Sequence, residues 1–412
     1  MNKVLLISKS QIYPLYSGGA LAQYYFIDGL KDIVEFVLCT EVHSDNEQYK
    51  LNLLQEKQPK LRIYSVNTSS KKNSESIKAK FIAFTLKILK PLLGNKKSSI
   101  KDIQADDFND PYFWHIDHHY SPDFIKLISE VIKKESITLV QLDFYDTIDL
   151  CFAIPNHVRK IFIHHELRFK RLKLASIDST VNDTFKNYLI EKTKWFETQC
   201  LKEMDIIGVF NEDDAALLKT EFDNVVITPF GIPSELIINR EVSLTYNRLL
   251  FLGSEGHTPN KLGLIWFLDT IYIPNINKIE FKLNIIGEWS KEFTAKYENY
   301  SKIKFLGLVD KLDDHYDHSI LVNPILTGSG LRTKILQSFA NKVPVMSTRF
   351  GAEGCFTESY SDHLVLFENW SEFYSSMKNL DFNKKAIKAY DYYQSNFAKS
   401  DLVKIRYNIY NE

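Results

Sequence analysis

The segment GSGLRTKILQSFA, Gly328 to Ala340, places two glycines ahead of a helix-like run and two cations at its start. Leu331, Ile335, Leu336 and Phe339 recur at helical spacing as a buried stripe, so a helix is expected from near Gly330. Free backbone N–H groups at such a start, with the helix dipole behind them, attract an anion, and Gly328 and Gly330 let a phosphate approach the main chain. Arg332 and Lys334 oppose the dipole in that first turn, and a bound diphosphate would give them a reason to be there. The other reading is a tight turn with two solvated cations. A second glycine loop, SGGA with Gly18 and Gly19, follows the first apolar run and precedes the helix-like LAQYYFIDGL. That is where a first strand-to-helix turn meets a phosphate. The loop is not G-x-G-x-x-G, and no acidic residue apart from Glu41 follows the second strand in dinucleotide-binding fashion, so a nicotinamide cofactor is the weaker inference.

Other reactive side chains carry less pattern. His165 with Glu166, at the end of an expected strand, either lines an acceptor cleft or is a structural loop pair. His115, His118, His119, His164 and His165 have no ligand spacing with cysteine or carboxylate, and no D-x-D occurs, so no metal is expected. The aromatics of DPYFW beside HIDHHYSPDF suit stacking on a sugar face or simple packing of a surface loop. Cys39, Cys151, Cys200 and Cys355 lie far apart without a C-x-x-C, as in a reducing compartment.

The elements that must position these residues read as short apolar β-branched runs alternating with helical stretches. Such alternation implies parallel sheets covered by helices. The expected strands are 4–7, 34–39, 61–66, 139–144, 160–164, 206–210 and 225–228, then 249–252, 281–286, 303–306, 320–323, 344–347 and 364–367. A chain of 412 residues exceeds the usual size of one core, so two domains are expected, with the linker at TPFGIPSE, Thr228 to Glu235. The division is 1–230, 231–381 and a helical segment 382–412 packing across the domains. A net charge of −1 offers nothing to nucleic acid, and no run approaches the roughly 20 apolar residues of a membrane span. The stretch Lys71–Lys97 holds eight lysines and Glu75 around FIAFTLKILKPLL. It reads either as a basic amphipathic helix on an anionic membrane face, through Lys78, Lys80, Lys87 and Lys90, or as a solvated helix.

Together these motifs resemble the retaining glycosyltransferases of family GT4. The resemblance is carried by LLFLGSEGHTPNKLGLIWFLDTI, LNIIGEW and the long segment from Ile303 to Gly354. SGGA, FIHHELRFKR, KWFETQCLKEMDIIGVFNEDDAALL and ITPFGI extend it more loosely over the first half. It implies the GT-B fold, two Rossmann-like domains with parallel sheets facing across a cleft. It also implies a cytoplasmic enzyme, peripheral at the inner membrane face if the lysine-rich stretch binds there. The reaction implied is metal-independent transfer, with retention, from a nucleotide-diphosphate sugar to a glycan or lipid-linked acceptor, in cell-surface polysaccharide synthesis. Donor-side positions are then Gly18, Gly19, Gly253, Lys261, Gly328, Ser329, Gly330 and Gln337. The catalytic positions are Arg332, Lys334 and His165, and Asp143 and Glu166 lie on the acceptor side. The chain departs from the family where two glutamates eight residues apart are common, holding Ser329 and Gln337 instead. Gln337 keeps an acceptor oxygen for the donor ribose but loses the charge. The usual arginine after the first strand of the second domain is missing from GSEGHTPNK, and Asp143 of VQLDFYD stands nearest a position that often holds histidine. A catalytically weak binding protein and a nucleotide-sugar 2-epimerase are the competing readings.

Overall fold

The computed structural model describes residues 2–9, 11–68, 120–175, 182–309, 311–328, 331–355, 362–397 and 399–411. Lys78, Lys80, Lys87, Lys90, Ser329, Gly330 and the aromatic-histidine stretch 110–119 lie outside them. All thirteen expected strands form. The first sheet contains β1 (Asn2–Ile7), β2 (Val34–Val42), β3 (Arg62–Asn67), β4 (Leu139–Asp143), β5 (Arg159–Ile163), β6 (Ile206–Val209) and β7 (Val225–Ile227). The second contains β8 (Arg248–Leu252), β9 (Lys282–Ile286), β10 (Ile303–Gly307), β11 (Ser319–Asn323), β12 (Val345–Ser347) and β13 (Val365–Leu366).

The orders are β3-β2-β1-β4-β5-β6-β7 and β10-β9-β8-β11-β12-β13, with parallel pairing in both sheets. Helices cover both faces, so the central strands are buried on each side and read in sequence as continuous apolar runs. Val4 to Ile7 and Leu249 to Phe251 are at most 2% exposed. Each order runs outward one way and then reverses, between β1 and β4 and between β8 and β11. Crevices open at the carboxyl ends of strands at such reversals.

One apolar cluster joins the two halves, with Tyr25, Phe230, Leu250, Ile335, Phe339, Tyr393 and Tyr410 among its members. The C-terminal stretch forms two helices, Phe382–Phe397 and Lys399–Asn411. The first packs on the helix Thr333–Ala340, and the second returns to the helix Gly18–Leu30 and β1. The backbone N–H of Ile232, between the sheets, donates to Tyr393 Oη at 2.9 Å.

The helix expected from near Gly330 begins at Thr333. Arg332, with φ −82° and ψ 74°, is its cap residue and not part of its first turn. Three residues of the apolar stripe, Ile335, Leu336 and Phe339, are fully buried, and Leu331 is half-buried.

Candidate active site

On the first side of the cleft the main chain leaves β1 and enters the Gly18 helix, whose N-terminus is capped by Ser17 Oγ accepting from Ala20 N at 3.1 Å. A Cβ on Gly19 would stand 2.5 Å from the Phe144 ring and 3.6 Å from His165 Nδ1. A Cβ on Gly18 would stand 3.1 Å from the Thr333 side chain, so the starts of the Gly18 and Thr333 helices meet across the cleft. A side chain at Gly19 would force the Phe144 ring to shift, and one at Gly18 would crowd Thr333.

His165 follows β5. Its Nε2 is 3.0 Å from Asp143 Oδ1, and Asp143, at the end of β4, is 2% exposed. Phe144 comes next with φ 72° and ψ 151°, a backbone region that costs a side-chain-bearing residue on the order of 1–3 kcal/mol. The strained turn lays its ring on the imidazole, with centroids 3.7 Å apart, while Phe210 meets the ring edge-on at 5.0 Å. Glu166 is committed to Arg171 and Arg168 on the helix Arg168–Ala175.

On the second side β8 is followed by Gly253, which donates its N–H to Ile286 O at 2.8 Å. A Cβ there would sit 2.7 Å from the Asn260 amide and 2.9 Å from Lys334 Nζ. Lys334 Nζ donates to Asn260 Oδ1 at 2.5 Å and lies 5.5 Å from the Phe251 centroid. Among the described residues no carboxylate forms an ion pair with Lys334. Loss of hydration, with Arg332 beside it, lowers its pKa to about 7.

Arg332 has an 11% exposed side chain. Its Nη2 approaches Phe350 O at 3.4 Å and Glu353 Oε2 at 3.9 Å, and burial lowers its pKa. The nearby His257 imidazole is pushed down to about 4, first by burial and then by Lys334 and Arg171. Gly328, with φ +115°, brings its turn within van der Waals reach of Arg332 and Pro259.

The structure therefore gathers Gly18, Gly19, Asp143 and His165 on one wall and Gly253, Gly328, Arg332 and Lys334 on the other. Gln337 lies one turn further along the Thr333 helix, half-buried. Lys261, in the first turn of the helix Thr258–Trp266, is paired with Glu255 at 2.9 Å, and Glu255 also accepts from Ser290 N at 2.8 Å. Sequence reasoning missed Phe144, His257, Asn260 and Arg171 as parts of the site. Asn260 had a signal, since it lies in the quoted GSEGHTPNK, whereas the Phe144 conformation has none. Among the described residues no three His, Cys, Asp or Glu side chains converge as a metal site, and no helix is long and apolar enough to cross a membrane.

Comparisons with known proteins follow the same geometry. Residues 246–380 match the family glycosyl transferases group 1. An uncharacterized 44.6 kDa protein in the cps region of Klebsiella pneumoniae is 28% identical over 184 residues, 40% of this chain and 45% of the relative, so the match spans about half the relative's length. Sucrose-phosphate synthase from Thermosynechococcus elongatus superimposes with a TM-score of 0.65 at 12% identity, over 100% of this chain and 98% of that one. A point mutant of S. aureus TarM, in complex with fondaparinux, alpha-GlcNAc-glycerol and UDP, gives 0.64 at 13% identity over 100% of both chains. WaaG, a glycosyltransferase involved in lipopolysaccharide biosynthesis, gives 0.61 at 11% identity, over 98% of this chain and 99% of that one. At such identities the structural likeness speaks for the fold alone. The chain thus has the GT-B fold, and its residues 246–380, built on the second sheet, are similar to the glycosyl transferases group 1.

Proposed function

We propose that this protein moves a sugar, with retention, from a nucleoside-diphosphate sugar to a glycan or lipid-linked acceptor in cell-surface polysaccharide synthesis. The observation that carries the reading is Lys334: a half-buried ammonium with no acidic partner among the described residues, next to Arg332 at the start of a helix that faces the Gly18 turn. Cations held this way are placed for an anion that arrives with the substrate. The relatives point the same way. TarM was captured with UDP and a glycosylated glycerol, a Medicago truncatula neighbour with UDP-glucose, and the Klebsiella relative is encoded in a cps region.

In this mechanism the diphosphate lies between the Gly18 turn and the Thr333 helix start. As the bond from the anomeric carbon to the phosphate oxygen breaks, Arg332 and Lys334 take up the growing negative charge, and no metal is required. The acceptor hydroxyl attacks from the same face, and the departing phosphate oxygen takes its proton. His165, with Asp143 behind it, borders the acceptor. Gln337 offers a neutral oxygen to the ribose hydroxyls. We place the functional division at 1–230 and 231–381, with 382–412 spanning both, and assign peripheral contact with the cytoplasmic membrane face to Lys78, Lys80, Lys87 and Lys90.

Titration with a panel of nucleoside-diphosphate sugars, followed for heat of binding and slow hydrolysis, tests the proposal. Binding by at least one donor is expected, and Arg332→Ala should weaken it roughly ten- to a hundredfold, the value of one charge-assisted contact. Binding unchanged in Arg332→Ala removes the diphosphate assignment. The missing charge at Gln337 favours a second reading, a GT-B protein that binds donors with little turnover. Gln337→Glu separates the two: a charged acceptor should lower the donor KM about fivefold, and hydrolysis should rise only if the site is catalytic.

A further inference from the structure

Behind His165 runs a buried line of polar side chains that starts on the last helix of the chain. Arg406 and Tyr410, on the helix Lys399–Asn411, are 1% and 4% exposed. Arg406 Nε donates to Thr228 Oγ1 at 2.9 Å, and the guanidinium lies 3.9 Å from the Phe26 ring centroid. Arg406 Nη1 donates to Gln141 Oε1 at 3.2 Å, and the Tyr410 hydroxyl donates to the same oxygen at 2.6 Å. Gln141 Nε2 donates to Asp143 Oδ2 at 2.7 Å, and Asp143 Oδ1 faces His165 Nε2 at 3.0 Å.

The chemistry of these groups gives the line one direction. A guanidinium only donates, so Gln141 must turn its carbonyl oxygen toward Arg406. Its NH2 group then faces Asp143, whose second oxygen remains for the imidazole. A carboxylate only accepts, so His165 Nε2 carries a proton, and in the neutral imidazole the lone pair is then on Nδ1. Nδ1 is the atom that points at the glycine turn, 3.6 Å from where a Cβ of Gly19 would lie.

We propose that Arg406 and Tyr410 are positioning residues for His165, acting through Gln141 and Asp143 to hold the imidazole in its Nε2–H form with the Nδ1 lone pair turned to the acceptor hydroxyl. This rests on the reading of His165 as the acceptor-side group. During transfer Nδ1 accepts a hydrogen bond from the attacking hydroxyl and aims its oxygen at the anomeric carbon. The proton itself leaves with the phosphate oxygen as the sugar–phosphate bond breaks.

Long-range nitrogen-15 to proton correlation on the full chain reads the tautomer directly, with His165→Asn assigning the resonance. Wild type should show Nε2 protonated. Tyr410→Phe removes one donor and leaves Arg406 in place, which keeps the fold intact. Gln141→Glu keeps the shape but sets a second carboxylate against Asp143. Both variants should shift the His165 ring resonances, and Gln141→Glu should lose the single tautomer. In both, kcat for slow nucleotide-sugar hydrolysis should fall about tenfold with donor KM unchanged, the mark of lost orientation. An Nδ1-protonated His165 in wild type, or ring resonances unmoved in both variants, overturns the proposal. Wild type with no hydrolysis counts against the transferase reading alone, because the spectrum reports the tautomer without substrate.

Discussion

At the scale of the residue, Lys334 makes the sharpest demand. Its ammonium is held near Asn260, with hydration reduced and Arg332 close by, and its pKa falls from 10.5 to about 7. A diphosphate favours the charged form, so binding should draw in a proton. Donor affinity should fall as pH rises above about 7, by up to tenfold per pH unit, until the pKa of the complex is reached. Calorimetry in two buffers of different ionisation heat checks this, and equal heats in both would remove the linkage. The sign for the free protein is opposite. Between about 7 and 10.5 the unfolded chain holds more protons than the folded one, so this lysine makes stability rise with pH across that window. The glycines, Arg332 and Lys334 were legible in sequence because their types and spacing are local. That Lys334 is held by a neutral amide was not, since Asn260 is 74 residues away.

At the scale of the element, the Gly18 turn and the strained turn after β4 are fitted to each other. Gly19→Ala would place a methyl carbon 2.5 Å from the edge of the Phe144 ring, which must move, and His165 stacks on that ring. Such overpacking costs on the order of 1–3 kcal/mol. A lower melting temperature and a loss of hydrolysis are the expected outcome. A variant with unchanged melting behaviour would mean the ring gives way freely. Strands were the readable elements. Buried on both faces, β1 and β8 show their apolar runs without any need for partners. The start of the Thr333 helix was misplaced, because the left-handed φ of Gly328 and the cap conformation of Arg332 belong to the loop's fit against Pro259 and Phe350, which no local spacing encodes.

At the scale of the molecule, the two sheets share an apolar cluster and are tied by the C-terminal helices. The Tyr393 hydroxyl accepts from the buried Ile232 N–H between the sheets, and Tyr393→Phe leaves that donor without its partner. The cost is about 1–3 kcal/mol. The melting temperature should drop while nucleotide affinity stays constant, because the contact lies outside the site; a change in affinity instead would show that this tie sets the spacing of the two walls. The sequence by itself determined the parallel two-sheet architecture and the nearness of Arg332 and Lys334 to a glycine turn, since apolar periodicity and neighbouring charges are properties of short stretches. Tertiary structure alone decided which groups stand behind His165. The line from Arg406 to Gln141 joins residues 265 positions apart, and only the return of the last helix to the first sheet brings them within hydrogen-bond distance.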